Sequence, residues 1–242
     1  MTQNKPLIVI TGASSGIGKA TAQLFSENWY PTLLLARRIE KLEALDLKNS
    51  ISKKVDVTDS LALNNAISEA EEKYWKTECI INNAWLMLLW DISEQNPDEW
   101  RKMFDVNIIW VLNGMQAVLP QMKKRQSWTI INVSSVAGRK TFPNHAAYCG
   151  TKFWVHAITE NAREDAANNN IRMVTIAPGA VETELLSHTT SNEIIDWYNA
   201  WKDDMWGVLS PENIANAIYY AYNQPQWVNI REIVIAATKQ QP

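Results

Sequence analysis

Tyr148 and Lys152 stand four residues apart in the stretch His145-Ala-Ala-Tyr148-Cys-Gly-Thr-Lys152, at the start of a helical pattern. Positions four apart share one helical face, so phenol and ammonium project together. A free phenol, with a pKa near 10, exchanges protons poorly at neutral pH. A neighbouring cation favours the phenolate and is expected to lower that value. Ser135 closes the apolar run before this helix. Its hydroxyl and the phenol can hold one carbonyl oxygen between them. The chemistry implied is proton transfer to or from an oxygen. Taken alone, Tyr148 and Lys152 also read as an ordinary surface pair.

A second constellation lies near the N-terminus, in Leu-Ile-Val-Ile-Thr-Gly-Ala-Ser-Ser-Gly-Ile-Gly at 7–18. It reads as a buried strand, a tight turn and a helix start. Glycine permits positive φ and removes the Cβ that would bar close approach of a ligand. The helix N-terminus then offers free N–H groups and the positive end of its dipole to a phosphate. Gly12, Gly16 and Gly18 are three of only 8 glycines in 242 residues. That content is about 3%, against roughly 7% in average usage, so glycine is spent here where side chains do not fit.

Arg37 and Arg38 follow the second strand, Pro31 to Ala36, with no acid before Glu40. In dinucleotide folds an acid at this place bonds the ribose of NAD, and an arginine instead accepts the 2′-phosphate of NADP. A guanidinium fork suits a phosphate, and one of the two arginines can stack on adenine. Two solvated loop arginines are the plain alternative. Asp56 closes the third strand, read at 53–57, where it accepts from an adenine amino group or caps the next helix.

These groups must be positioned by a regular framework. Strands are expected at 7–10, 31–36, 53–57, 79–81, 128–133, 171–177 and 230–236. Helices are expected at about 17–28, around Leu42 and Leu45, at 60–74, 97–124, 146–168, irregularly over 182–205, and from Pro211 to about 222. Strands alternate with helices from end to end. That pattern predicts an α/β fold: a doubly wound, seven-stranded parallel sheet with helices on both faces. No linker or repeat divides residues 1–242, so one domain is expected.

Apolar content of 46% suits a full core, and a net charge of −3 with mixed signs excludes a basic nucleic-acid footprint. Cys79 and Cys149 lie far apart, read as free thiols, and fit a reducing compartment. His145, His156 and His188 lack metal-like spacing, and Asp203-Asp204 reads as a solvated face. No apolar run is long enough to span a bilayer, and residues 1–6 lack the core of a secretion signal. A cytoplasmic protein without metal is the expectation. The chain also carries 12 tryptophans, more than its glycines.

Thr11-Gly-x3-Gly-x-Gly, Asn82-Asn83-Ala84, Asn107, Ser135, Tyr148-x3-Lys152 and Pro178-Gly179 occur in this order along the chain. Together they resemble the short-chain dehydrogenase/reductase family over nearly the whole length. Tyr-Cys-Gly-Thr-Lys-Phe and Ala-Pro-Gly-Ala-Val-Glu-Thr-Glu-Leu are similar to its bacterial NADP-dependent carbonyl reductases and hydroxy-acid dehydrogenases. The resemblance implies that Tyr148 is the acid in reduction and the base in oxidation. Lys152 would bind the nicotinamide ribose and Ser135 orient the carbonyl. Ser135 is preferred to Ser134 because the family's serine lies 13 positions before its tyrosine. Asn107 would hold a relay water. Gly12, Ser14, Ser15, Gly16, Ile17 and Gly18 would line pyrophosphate and ribose. Arg37, Arg38, Asp56 and Val57 would face the adenosine half. Asn83 and Ala84 would run along the cofactor, with Pro178, Gly179, Val181 and Thr183 over the nicotinamide. Residues 182–210 would cover the substrate, Trp197, Trp201 and Trp206 among them, lining an aromatic pocket or simply packing. The implied reaction is NADPH-dependent reduction of a ketone or aldehyde, reversed on a secondary alcohol. The rival is oxidation of a 3-hydroxy acid of the serine type. A homotetramer is implied, packed through 97–124 and 146–168.

The chain departs from the family at a repeated kind of position. The family's Asn-Asn-Ala-Gly reads Asn-Asn-Ala-Trp85, and tryptophan also stands near usual glycines at 29, 75, 110 and 128. So many coincident exchanges read as an altered sequence rather than drift. Trp85 adjoins the expected cofactor channel. It leaves three expectations: a shifted backbone, an indole in the substrate cleft, or weakened binding; a dinucleotide-binding protein with impaired catalysis is the further rival.

Overall fold

The structure, a computed structural model, describes residues 5–240 apart from 190 and 206. Trp206 therefore lies outside the described residues. Seven parallel strands form one sheet in the order β3-β2-β1-β4-β5-β6-β7. They are β1 Leu7–Thr11, β2 Thr32–Ala36, β3 Ser50–Lys54, β4 Thr77–Asn82, β5 Trp128–Val133, β6 Ile171–Pro178 and β7 Glu232–Ile235. Their runs are apolar without alternation because β1, β2, β4, β5 and β6 are covered on both faces. Every residue of β1, β2, β5 and β6 is buried.

Helices α1 (Gly16–Glu27) and α8 (Pro211–Tyr222) cover one face. There Phe25, Ile214 and Ile218 pack on Ile8, Ile10 and Ile81. Helices α3 (Ser60–Lys73), α5 (Trp110–Arg125) and α6 (Ala146–Ala166) cover the other, where Leu63, Val111 and Val155 meet Val9, Ile80 and Ile130. Short α2 (Ile39–Glu43), α4 (Pro97–Phe104) and α7 (Asn192–Asp203) complete the set. The expected doubly wound single domain is what forms. Strand order reverses between β1 and β4, and at that point ligands bind beyond the carboxyl ends of such sheets.

Two local readings change. The third strand is Ser50–Lys54, not 53–57. Val55 and Val57 gave the misleading alternation; they are buried in the core just past the strand end. The long helix at 97–124 is interrupted by a π turn, Asp105–Ile109, which carries Asn107. Such turns commonly mark functional positions. Among the described residues, no helix is long and apolar enough to cross a membrane, and no cluster of metal-ligating side chains occurs.

Helix α1 ends in a Schellman arrangement. Trp29 N–H donates to Ser26 O at 2.9 Å and Tyr30 N–H to Phe25 O at 3.0 Å, with the Tyr30 and Phe25 rings in edge contact. Trp29 occupies its left-handed position at φ +64°, where glycine is usual. Every other non-glycine residue at positive φ among those described is Asn, Asp or Gln.

Candidate active site

The turn after β1 brings backbone against backbone. Gly12 has φ +64°, and a Cβ there would lie 2.8 Å from Ala84 Cα. A Cβ on Gly18 would lie 2.3 Å from Gly12 O. No other residue type fits either place without displacing backbone. Asn83 straps the turn to the end of β4, donating from Nδ2 to Thr11 O at 3.1 Å, while its N–H donates to Thr11 Oγ1 at 2.9 Å. Ser15 caps α1 without spending its hydroxyl on the helix. The first-turn N–H groups thus face the cleft together with Ser14 and Ser15. This cradle fits the diphosphate of a dinucleotide on its own geometry.

Arg38 reaches the same place from the end of β2. Its Nη2 donates to Ser15 Oγ at 2.9 Å and Ser14 Oγ at 3.2 Å. Its Nη1 pairs with Glu184 at 2.8 Å, and Lys41 pairs with the same carboxylate at 2.9 Å. Lys41 and then Arg38 hold the Glu184 carboxyl down at about 2. Glu184 was not a sequence candidate, and nothing local marks it: 146 residues separate it from Arg38. Arg37, Asp56 and Val57 border the same cavity, of about 310 Å³. The Asp56 carboxylate accepts from Thr58 N–H at 3.0 Å and Thr58 Oγ1 at 2.7 Å. Burial pushes its pKa up, but these bonds and Arg37 leave it below its usual value. Asp59, not Asp56, caps α3.

At the far end, Tyr148 and Lys152 lie on the first turns of α6, both buried. Ser135 follows β5 and borders a second cavity, of about 390 Å³, together with Tyr148. Ser134 is turned inward, donating to Lys152 O at 3.2 Å. Lys152 Nζ donates to Val133 O at 3.3 Å. The tyrosine pKa departs from the expectation. Burial pushes it well above 10, and a hydrogen bond with Ser135 pulls the other way without winning. The ammonium is 5.7 Å from the phenol ring centroid, and its own burial draws the Lys152 pKa down to about 7. A cation half discharged near neutrality lends the phenolate little support.

Asn107 stands behind this pair. Its Nδ2 donates to Leu86 O at 2.8 Å and Thr151 Oγ1 at 3.1 Å, and its Oδ1 accepts from Leu86 N–H at 2.8 Å. One amide hydrogen and the amide oxygen are therefore spent on Leu86, the residue after Trp85, and the other hydrogen on Thr151 of α6. Of the residues after β6, Gly179 and Val181 border the second cavity and Thr183 borders both. Pro178 O accepts from Ser135 Oγ at 3.4 Å. Ile17 and Gly18 are buried in the first turns of α1.

The comparisons with known proteins match this geometry. The family profile described as short chain dehydrogenase matches residues 6–194. The chain belongs to the short-chain dehydrogenase family. It is 43% identical to an uncharacterized oxidoreductase of Staphylococcus saprophyticus, covering 97% of this chain and 96% of that one. A similar oxidoreductase of Listeria monocytogenes is 40% identical, over 99% of both chains. Among solved structures, the closed form of a serine dehydrogenase complexed with NADP+ superposes with a TM-score of 0.90 at 26% identity, over 98% and 96% of the two chains. ElxO with NADP bound gives 0.85 at 26% identity, over 96% and 97%.

Within this short-chain dehydrogenase the second cavity is walled by aromatic rings and cations. Trp197 and Trp201 border it, joined by Tyr198, His145 and Phe142. Tyr198 and His145 stack at 6.3 Å, and His145 meets Tyr148 edge-on at 6.1 Å. Burial holds the His145 imidazole below its ordinary pKa. The sequence pointed to the tryptophans; it carried no sign of Tyr198 or His145, which converge only in three dimensions.

Proposed function

We propose that this chain is an NADP(H)-dependent oxidoreductase that interconverts a ketone or aldehyde with a secondary alcohol. One observation carries the reading: of two adjoining cavities, one has Arg38 on the serines of the glycine turn, and the other has Tyr148 and Ser135 with Lys152 buried behind them. The glycine turn with Ser14, Ser15 and Ile17 would hold the diphosphate. Arg38, with Arg37 and Lys41, would take the 2′-phosphate, exchanging Glu184 for it. Asn83, Ala84, Val181 and Thr183 would flank the rest of the cofactor, which supplies the hydride when bound. Ser135 donates to the substrate oxygen and fixes the carbonyl beside the phenol. Tyr148 gives its proton to that oxygen in reduction, and its raised pKa suits a group that must arrive protonated. Lys152 would hold the ribose and, when charged, steadies the phenolate that Tyr148 leaves on giving up its proton. Asn107 fixes the Leu86 backbone beside them; a relay water on its side chain would use the second lone pair of Oδ1. Titration with NADPH and NADH, then NADPH consumption with a panel of carbonyls, tests the whole. Equal affinity for the two cofactors overturns the role of Arg38. No turnover by this chain or by Trp85→Gly overturns the enzyme.

A second reading, a 3-hydroxy acid as the alcohol, is favoured by Lys140, Lys202 and Lys239 on the wall of the second cavity. Lys202 already pairs with Glu182 at 2.7 Å and Lys239 with Asp204 at 3.5 Å, so a substrate carboxylate would exchange for these carboxylates, and the serine dehydrogenase likeness points the same way. A hydroxy acid preferred over its decarboxylated alcohol supports this reading; the reverse preference removes it. The proposed assembly is a homotetramer. Phe104, Leu112, Phe153 and Trp154 are exposed on α4, α5 and α6 and suit packing against a second copy. Light scattering gives the mass that checks it.

A further inference from the structure

We infer that Trp85 plugs the seat of the nicotinamide, so that this chain grips its cofactor by the adenosine end alone. The inference rests on the cofactor reading above. Trp85, with Thr183 and Leu185, borders the phosphate-side cavity and the Tyr148-side cavity alike, and of the three it is the one that stacks on the Tyr148 and Lys152 side chains. The ring lies over Lys152 Nζ, 4.5 Å from ammonium to centroid. It is also nearly parallel to the Tyr148 ring, 29° between planes and 6.2 Å between centroids. Any flat ring that travels from the glycine turn to the phenol must enter this space. The indole already fills it, stacked on the phenol and on the cation. The segment is held firmly, because Asn107 clamps both polar groups of Leu86, the next residue. Trp85 also has no positive φ, so the backbone does not push the side chain out. To admit a nicotinamide, the indole must leave Lys152 and Tyr148, and that cost is taken from the cofactor's affinity.

Binding measurements separate this idea from its foundation. Adenosine 2′,5′-bisphosphate probes the phosphate end, and NADP+ probes both ends. In this chain the two should bind with Kd values within about twofold. Trp85→Gly should bind NADP+ at least about tenfold more tightly while its bisphosphate affinity stays unchanged. Trp85→Ala, which keeps a Cβ and less backbone freedom, should move the same way. The plug is overturned if NADP+ already binds this chain at least about tenfold more tightly than the bisphosphate and neither substitution changes that. If no chain binds the bisphosphate, the cofactor reading itself falls.

Trp29, taken with Trp85, carries a second inference, under which the plug belongs to the tryptophan-bearing chain alone. Trp29 occupies the left-handed position of a complete Schellman motif, a place built for a residue without Cβ. Trp85 fills a channel, and the chain holds 12 tryptophans against 8 glycines. We infer that positions 29 and 85 carry glycine in the protein as its own cell makes it. One codon read as tryptophan under one genetic code and as glycine under another would produce both. Peptide masses of protein isolated from those cells should show glycine at both positions; tryptophan at both overturns the inference.

Discussion

The phosphate end of the cleft and the nicotinamide end are built by opposite means. At the first, side chains are left out: a Cβ on Gly12 or Gly18 would meet backbone at 2.8 or 2.3 Å. Space for a ligand and space for the chain are one requirement there, so the glycines cannot change without cost to the fold. At the second, Trp85 sits in ordinary backbone and fills the space that a ligand needs. Its bulk costs the fold little, because the indole contacts a cation and a phenol that lie side by side against it. The same cleft thus guards one end through stability and leaves the other open to loss of function alone. Substitutions that act on one end and spare the other break or sharpen this contrast.

The largest effect is expected at Tyr148. Tyr148→Phe removes the phenol hydroxyl that is hydrogen-bonded with Ser135 and leaves the phosphate end untouched. Turnover should fall by about 100-fold to 10,000-fold, the range for a lost general acid, while adenosine 2′,5′-bisphosphate still binds. Steady-state kinetics beside calorimetry read the two ends separately. A joint loss of both would show that the ends are not independent.

At the opposite end, Arg38→Asp should shift preference from NADPH towards NADH by about tenfold, since a half-exposed guanidinium contributes modestly through solvent. Glu184→Gln should act the other way. It frees Arg38 and Lys41 from a carboxylate that competes for them and should raise NADPH affinity severalfold without altering NADH. Ratios of Kd for the two cofactors check both. An unchanged ratio in Arg38→Asp would detach the arginine from the 2′-phosphate.

What the sequence made legible divides along the same line. Gly12, Gly16, Gly18, Tyr148 and Lys152 were readable because each works through local spacing: a turn, a helix start, one helical face. Apolar runs separated by helical periods predicted the sheet for the same reason. Glu184, Tyr198 and His145 were not readable, because their roles arise where distant segments meet. The third strand was misplaced because Val55 and Val57 are buried by neighbours, not by strand pairing. The direction of the Tyr148 shift differs from the expectation because burial, which outweighs the hydrogen bond with Ser135, is not visible in a spacing of four.

Lys152 yields a smaller effect that reports the dry environment at the plugged end. Its folded pKa of about 7 lies below the unfolded value, so between these values the unfolded chain binds more protons than the folded one. Stability should therefore gain a positive slope with pH, beginning near 7 and ending at the unfolded lysine value near 10.4. The cost of burying the charged ammonium is present in full below that window and gone above it. Lys152→Met should flatten the slope, as read from urea midpoints of both chains at a series of pH values. An identical slope in both would place the charged ammonium in a wetter setting than its burial indicates.

The smallest effect belongs to Trp29, which lies outside the cleft and reverses the logic of Trp85. Here bulk costs the fold and leaves the ligand alone. A bulky residue in the left-handed region costs about 1–2 kcal/mol. Glycine removes that strain but returns some unfolded-state entropy, roughly 0.5–1 kcal/mol. It also loses the contact of the Lys48 ammonium with the exposed indole, 5.6 Å from its centroid, which contributes little in solvent. The net should favour Trp29→Gly by up to about 1 kcal/mol, seen as a higher urea midpoint with unchanged slope. Affinity for NADP+ should stay the same, whereas Trp85→Gly should raise affinity with little change in midpoint. If the two substitutions instead moved midpoint and affinity together, tryptophan in place of glycine would act through one shared distortion, and the division between a costly backbone and a filled channel would be lost.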